Sequence, residues 1–191
     1  MYHDGNRQLQ DAFGSRALAD RLADLRRARF TDDDAAFIES QGFFFLATAD
    51  AEGHPDCSFK GGPPGFAHVA APDRLVFPDY DGNGMFKSLG NIAANPWVGL
   101  LFIAMGEAPR RLRVNGTARI LSDDPAMESI PGAQLLIEVT PVDIFPNCPR
   151  YIPRTEMLQA SQYLPHADDA PVEPVWKTFD VFKDIVPPRR R

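Results

Sequence analysis

The window GNGMFKSLGNIAANP, residues 82–96, brings a glycine–asparagine–glycine turn, a lysine and a serine together. Gly82 and Gly84 free the backbone for close approach to a ligand, and Lys87 and Ser88 follow where a short helix would begin. N–H groups at a helix start favour an anion, so the chemistry on offer is phosphate binding. A plain turn and helix cap would use the same residues, and the loop by itself does not separate the two.

Two further stretches carry cations at strand spacing. In CSFKGG (57–62) a period of two puts Ser58 and Lys60 on one face, with Cys57 and Phe59 on the other. In RRLRVNG (110–116) the same alternation groups Arg111, Arg113 and Asn115 opposite Leu112 and Val114. Each polar face suits water or an anion. If the three segments converged, their ammonium, guanidinium and hydroxyl groups would surround one dianionic phosphate and its attached ring.

The elements that must position these residues are legible from periodicity. Leu9, Phe13, Leu18, Leu22 and Leu25 recur near helical spacing between residues 8 and 29, predicting one or two amphipathic helices. Thr31 and Asp34 form a capping-box pattern, with Asp in place of the usual Glu, for a helix through Phe37 and Ile38 that ends near Gly42. From FFFLAT (43–48) the pattern becomes strand-like: a turn at ADAEGHPD, CSFKGG as the second arm of a hairpin, then FAHVA (66–70), RLVFP (74–78), VGLLFIA (98–104), RLRVNGTARIL (111–121) and QLLIEVTPVDIF (134–145). These predict an α+β fold, a six- or seven-stranded antiparallel barrel with N-terminal helices and one internal helix over 87–95. Trp176, Phe179, Phe182 and Ile185 or Val186 predict a C-terminal helix. One domain spans 1–191, with a helical segment (1–41), a barrel core (42–150) and a C-terminal extension (151–191) that includes the Pro-rich connector 164–176.

Composition narrows the function. The 191 residues are 44% hydrophobic, enough for a single core. With 26 acidic against 20 basic residues the net charge is −6, which argues against a nonspecific nucleic-acid binder, since such proteins need excess cation. No stretch approaches the roughly 20 apolar residues that span a bilayer, and the start lacks an apolar signal-peptide core, so a cytoplasmic location away from membranes is expected. Cys57 and Cys148 are expected as reduced thiols, Cys148 as a buried one, and no metal site is expected. His54 and His68 read as solvated surface residues.

Taken together the segments resemble the pyridoxamine 5′-phosphate oxidase-like family of FMN-binding split barrels. The likeness covers residues 37 to about 153 and is carried by SFKGGPPGF, FPDYDGNGMFKSLGNIAANPWVGLLFI, RRLRVNG and FPNCPRYI. It implies a split β-barrel that dimerises with two flavins in the clefts between subunits. It also implies that Ser58 and Lys60 contact the cofactor from one strand, that Pro78 and Asp79 end the next strand beside the flavin, and that Asn83 lies in the phosphate loop. Lys87 and Ser88 fall where a basic pair clasps the phosphate, Ser88 replacing a basic group, and Arg111 falls where a residue faces the ring or ribityl chain. The C-terminal stretch VEPVWKTFDVFKDIVPPRRR departs from the Trp-bearing and Arg-His-Asp-Arg-like ending of the true oxidase. The resemblance is therefore to a flavin-nucleotide-binding subgroup, and it implies an FMN-dependent oxidoreductase of a small-molecule substrate. A non-catalytic flavin- or haem-binding module is the alternative on the same scaffold.

Overall fold

A computed structural model of the chain describes residues 2–105, 108–149, 152 and 175–180. Seven strands form where side-chain alternation predicts them: β1 (Phe43–Ala49), β2 (Pro55–Gly61), β3 (His68–Ala71), β4 (Arg74–Tyr80), β5 (Trp97–Ala104), β6 (Arg110–Leu121) and β7 (Ala133–Pro146). Their order in the sheet is β2-β1-β5-β6-β7-β4-β3, and all pairings among them are antiparallel. Before the barrel lie α1 (Asp4–Ala12), α2 (Arg16–Ala23) and α3 (Asp32–Glu39), and α4 (Lys87–Ala94) sits between β4 and β5.

The inward residues of each strand make the core. Phe44 and Leu46 of β1, Leu75 and Phe77 of β4, Phe102 of β5 and Leu112 and Val114 of β6 are almost fully buried, each contributing roughly 1.5–3 kcal/mol of apolar burial. Phe44 meets Phe102 of the neighbouring β5 at 4.9 Å and also Phe77 of β4 at 4.9 Å, although β1 and β4 stand far apart in the strand order. That contact requires the sheet to curl until its two ends approach. The result is a split barrel, a curled antiparallel sheet whose ends are not joined by strand pairing.

Helix α3 begins as its sequence dictates. The Asp34 N–H donates to Thr31 Oγ1 at 3.2 Å, and the Thr31 N–H donates back to the Asp34 carboxylate at 3.0 Å. The helix buries Phe37 and Ile38 and reaches its C-cap at Ser40, close to the expected end. Residues 8–29 give two helices, but Leu9, Phe13, Leu18, Leu22 and Leu25 remain exposed. Of the C-terminal extension, a 3-10 turn at Val175–Thr178 is described. The rest of the expected C-terminal helix, most of the connector and Arg150 lie outside the described residues.

Candidate functional site

At the seam where the two ends of the sheet approach, β2, the end of β4, the 81–86 crossover and the start of α4 enclose a cavity of about 720 Å³. Small-molecule sites commonly occupy roughly 300–1,000 Å³. Ser58, Lys60, Pro78, Asp79, Asn83, Lys87 and Ser88 all line it. Arg111 does not, so within one chain the structure brings seven of the eight sequence-nominated residues together.

On β2 the polar face turns inward. Ser58 and Lys60 are half-buried, whereas Cys57 and Phe59 are exposed. Across the cavity the crossover bends through positive φ at Gly84 (74°) and Phe86 (48°). For a bulky non-glycine residue this left-handed conformation is strained, and it sits at the N-cap of α4. Asn83 Oδ1 accepts from the Met85 N–H at 3.0 Å and helps shape the turn. The helix has no side-chain cap, so the donors of its first turn are left for an outside acceptor. Ser88 lies buried in that first turn, and Lys87 is exposed at the mouth. A buried hydrogen bond from Asn91 Nδ2 to Thr48 Oγ1, 2.9 Å, fixes α4 against β1 and thereby aims its start.

The opposite wall is acidic. Asp79 reaches across the seam to Lys60, with Nζ and Oδ1 3.9 Å apart and 19% and 13% of the two side chains exposed. Burial pushes the Asp79 carboxyl up, Lys60 pulls it down and Asp81 pushes it up again. Tyr80 follows, its phenol pushed up to about 12 by burial and so neutral in the ordinary pH range. Asp79 shares the inward face of Leu75 and Phe77, and a register shift follows it: Asp79 pairs with Leu135 but Tyr80 pairs with Ala133, leaving Gln134 of β7 as an extra residue. Such a bulge re-aims side chains. Consecutive Asp79 and Tyr80 thus line one cavity, and so does Gln134, whose amide donates to Asp81 Oδ1 at 3.4 Å.

Sequence reasoning missed Asp56, Tyr80, Asp81 and Gln134. Asp56 shares the i, i+2, i+4 face of Ser58 and Lys60, and that signal was available. Arg111 keeps the face that alternation gives it on β6, but its Nε is buried without a hydrogen-bond partner, as is Oδ1 of nearby Asn147. Cys148 is exposed, which corrects the expected burial, and Cys57 is exposed as well. His54 is exposed and its ring bonds Asp50 at 3.0 Å, outside the cavity lining.

The family model for pyridoxamine 5′-phosphate oxidase matches residues 30–148, more than half of the chain and all seven strands. The chain belongs to the pyridoxamine 5′-phosphate oxidase family. A Lactobacillus delbrueckii protein proposed as a pyridoxamine 5′-phosphate oxidase is 21% identical, with 63% of this chain and 97% of that chain covered at a TM-score of 0.51. That likeness confirms the family's fold. An FMN-binding protein of Syntrophomonas wolfei is 10% identical, covering 73% of this chain and 97% of its own at a TM-score of 0.46. HutZ, the heme storage protein of Vibrio cholerae, is 19% identical, covering 61% and 94% at a TM-score of 0.45. Comparison with curated proteins finds no match. No helix among the described residues is long and apolar enough to cross a membrane.

For this member of the pyridoxamine 5′-phosphate oxidase family, the donor set suits a phosphate. Two ammonium groups, two serine hydroxyls, the Tyr80 phenol and an uncapped helix start line one cavity. Three carboxylates, of Asp56, Asp79 and Asp81, share it.

Proposed function

We propose that the chain is a homodimeric FMN-dependent oxidoreductase acting on a small molecule. The observation that carries this reading is the meeting of Lys87, Ser88 and the uncapped start of α4 with Ser58 and Lys60 in one cavity. Lys87 and the first-turn N–H groups hold the flavin phosphate, and the Ser58 and Ser88 hydroxyls add hydrogen bonds. Pro78, buried at the end of β4, fixes the wall beside Asp79, and Asn83 shapes the loop. Tyr80, which stays neutral, offers a phenolic donor to whatever lies in the cavity. When bound, the flavin supplies the hydride and electron transfer, exchanging with a nicotinamide or with oxygen.

A second copy of the chain completes the site in this reading. Phe59 is 61% exposed beside the cavity, stacked on Phe43 at 5.3 Å and edge-on to Phe45 at 6.0 Å. Met85 and Phe86, on the cavity's other side, are 71% and 50% exposed. A partner surface covering these side chains would remove a large apolar area from water. Arg111, which does not line its own chain's cavity, is the residue we assign to the partner's flavin.

Titration with FMN and with riboflavin tests the reading. Wild-type protein binds both, and Lys87→Ala weakens FMN by about 10- to 100-fold with little effect on riboflavin, because only FMN carries the charge-assisted phosphate contact. Protein that stays colourless after reconstitution contradicts the proposal. Bound flavin without oxidation of reduced nicotinamide, across a broad set of acceptors, would make it a flavin-binding module instead.

A further inference from the structure

The cation that best suits a second phosphate contact is already engaged. Lys60 faces Asp79 across the seam at 3.9 Å, and both side chains are largely withdrawn from water, so the carboxylate takes up charge that a ligand phosphate would otherwise meet. Lys87, by contrast, is exposed at the cavity mouth, and the start of α4 next to it lacks a side-chain cap. The cavity thus has one open cationic end and one internally neutralised lysine. Asp79 comes there by ordinary alternation, on the β4 face that also carries buried Leu75 and Phe77, and Gln134, the extra residue at the β4–β7 register shift, holds the adjacent Asp81 through its amide at 3.4 Å. With Asp81 pointed at Gln134, Asp79 is the carboxylate placed to hold Lys60.

We propose that Asp79 is a specificity-determining residue that competes with the ligand's phosphate for Lys60, and so sets the preference between a flavin that carries a phosphate and one that does not. The inference rests on the flavin reading above and deepens it. FMN must displace Asp79 from Lys60 or leave Lys60 unused, whereas riboflavin leaves the pair intact. The observed carboxylate therefore lowers the advantage that a phosphate would otherwise give. Replacing it by a neutral isostere frees the ammonium without emptying the space.

The experiment is the dissociation constant of FMN and of riboflavin, read by flavin fluorescence at pH 7.5, for wild type, Asp79→Asn, Lys60→Met and the double variant. Asp79→Asn raises the FMN-over-riboflavin preference by about tenfold. Lys60→Met changes that preference little in wild type but removes the gain when combined with Asp79→Asn. Should Asp79→Asn not fold, as judged by circular dichroism, Asp79→Ser takes its place with the same expectation. An unchanged or reduced preference in the Asp79 variant overturns the inference while leaving flavin binding in place. Failure of wild type to bind either flavin overturns the flavin reading itself, and the inference with it.

Discussion

Two aspartates in this chain are pushed in opposite directions by their surroundings. At Asp34 burial works to raise the carboxyl, but hydrogen bonds from Arg27 and Thr31 outweigh it and hold the group below its ordinary value. Arg27 Nη1 and Nη2 both contact the carboxylate, the latter at 3.0 Å. A depressed folded value means that this stabilisation is present above the unfolded value of about 3.9 and is lost as pH falls through the folded one. Asp34→Asn is expected to lose about 2 kcal/mol at neutral pH, less than a fully buried pair because 34% of the Arg27 side chain stays exposed. Thermal melts from pH 7 to pH 2 check this, with the gap between wild type and variant closing toward acid. Asp79 has the reverse sign: its raised value makes its contribution to stability greatest in acid and lost as pH rises through the folded value. Protonating it also releases Lys60, so the FMN preferences of wild type and Asp79→Asn converge as pH falls. Asp56 on β2, Asp81 in the crossover and Lys87 on α4 face the same space, and the flavin phosphate itself titrates near about 6, but all of these are common to both proteins. Residue type and spacing made Ser58, Lys60, Lys87 and Ser88 legible in the sequence. Tyr80 and Gln134 were not, because a register shift between distant strands brings them in, and no local pattern records it.

Among the elements, α4 has the most to do with the site. Its start is uncapped and follows a strained Phe86, so tertiary contacts must hold it in place. The Asn91–Thr48 hydrogen bond, buried at both ends, is one such tether, and Asn95 adds another by donating to the Asp50 carbonyl at 3.3 Å. Asn91→Ala leaves the Thr48 hydroxyl without its partner and is expected to cost about 1–3 kcal/mol. The same variant should bind FMN more weakly, while Asn95→Ala, on a longer and less buried bond, does less harm; denaturant melts and flavin titration measure both. The strands were legible nearly to their ends, since alternation and turn residues are local signals. Gly116, within RRLRVNG, shows why that stretch carries its glycine. A Cβ there would come within 2.1 Å of the Thr140 carbonyl oxygen, at the point where the β6–β7 register shifts. Sequence alone marks the glycine but not the approaching backbone. Arg111 is the converse case. Alternation sets its face of β6, opposite buried Leu112 and Val114, but that this face lies outside its own chain's cavity depends on the curl of the whole sheet.

At the scale of the molecule, the curl creates the site. The two ends of the sheet order, β2 with β1 and β4 with β3, come together through Phe44 of β1 and Phe77 of β4 inside and Lys60 and Asp79 at the seam. The cavity lies in the gap that strand pairing leaves open. Exposed Phe59, Met85 and Phe86 border that gap, and among the described residues half or more of each is left uncovered, although Phe59 stacks on Phe43. A protein with this arrangement is expected to assemble around its ligand, with each chain contributing to both cavities. Native mass spectrometry of the purified full chain after reconstitution with FMN and removal of excess flavin tests this most directly. The account predicts a dimer carrying one FMN per chain, and a chain that retains no flavin under those conditions would contradict it.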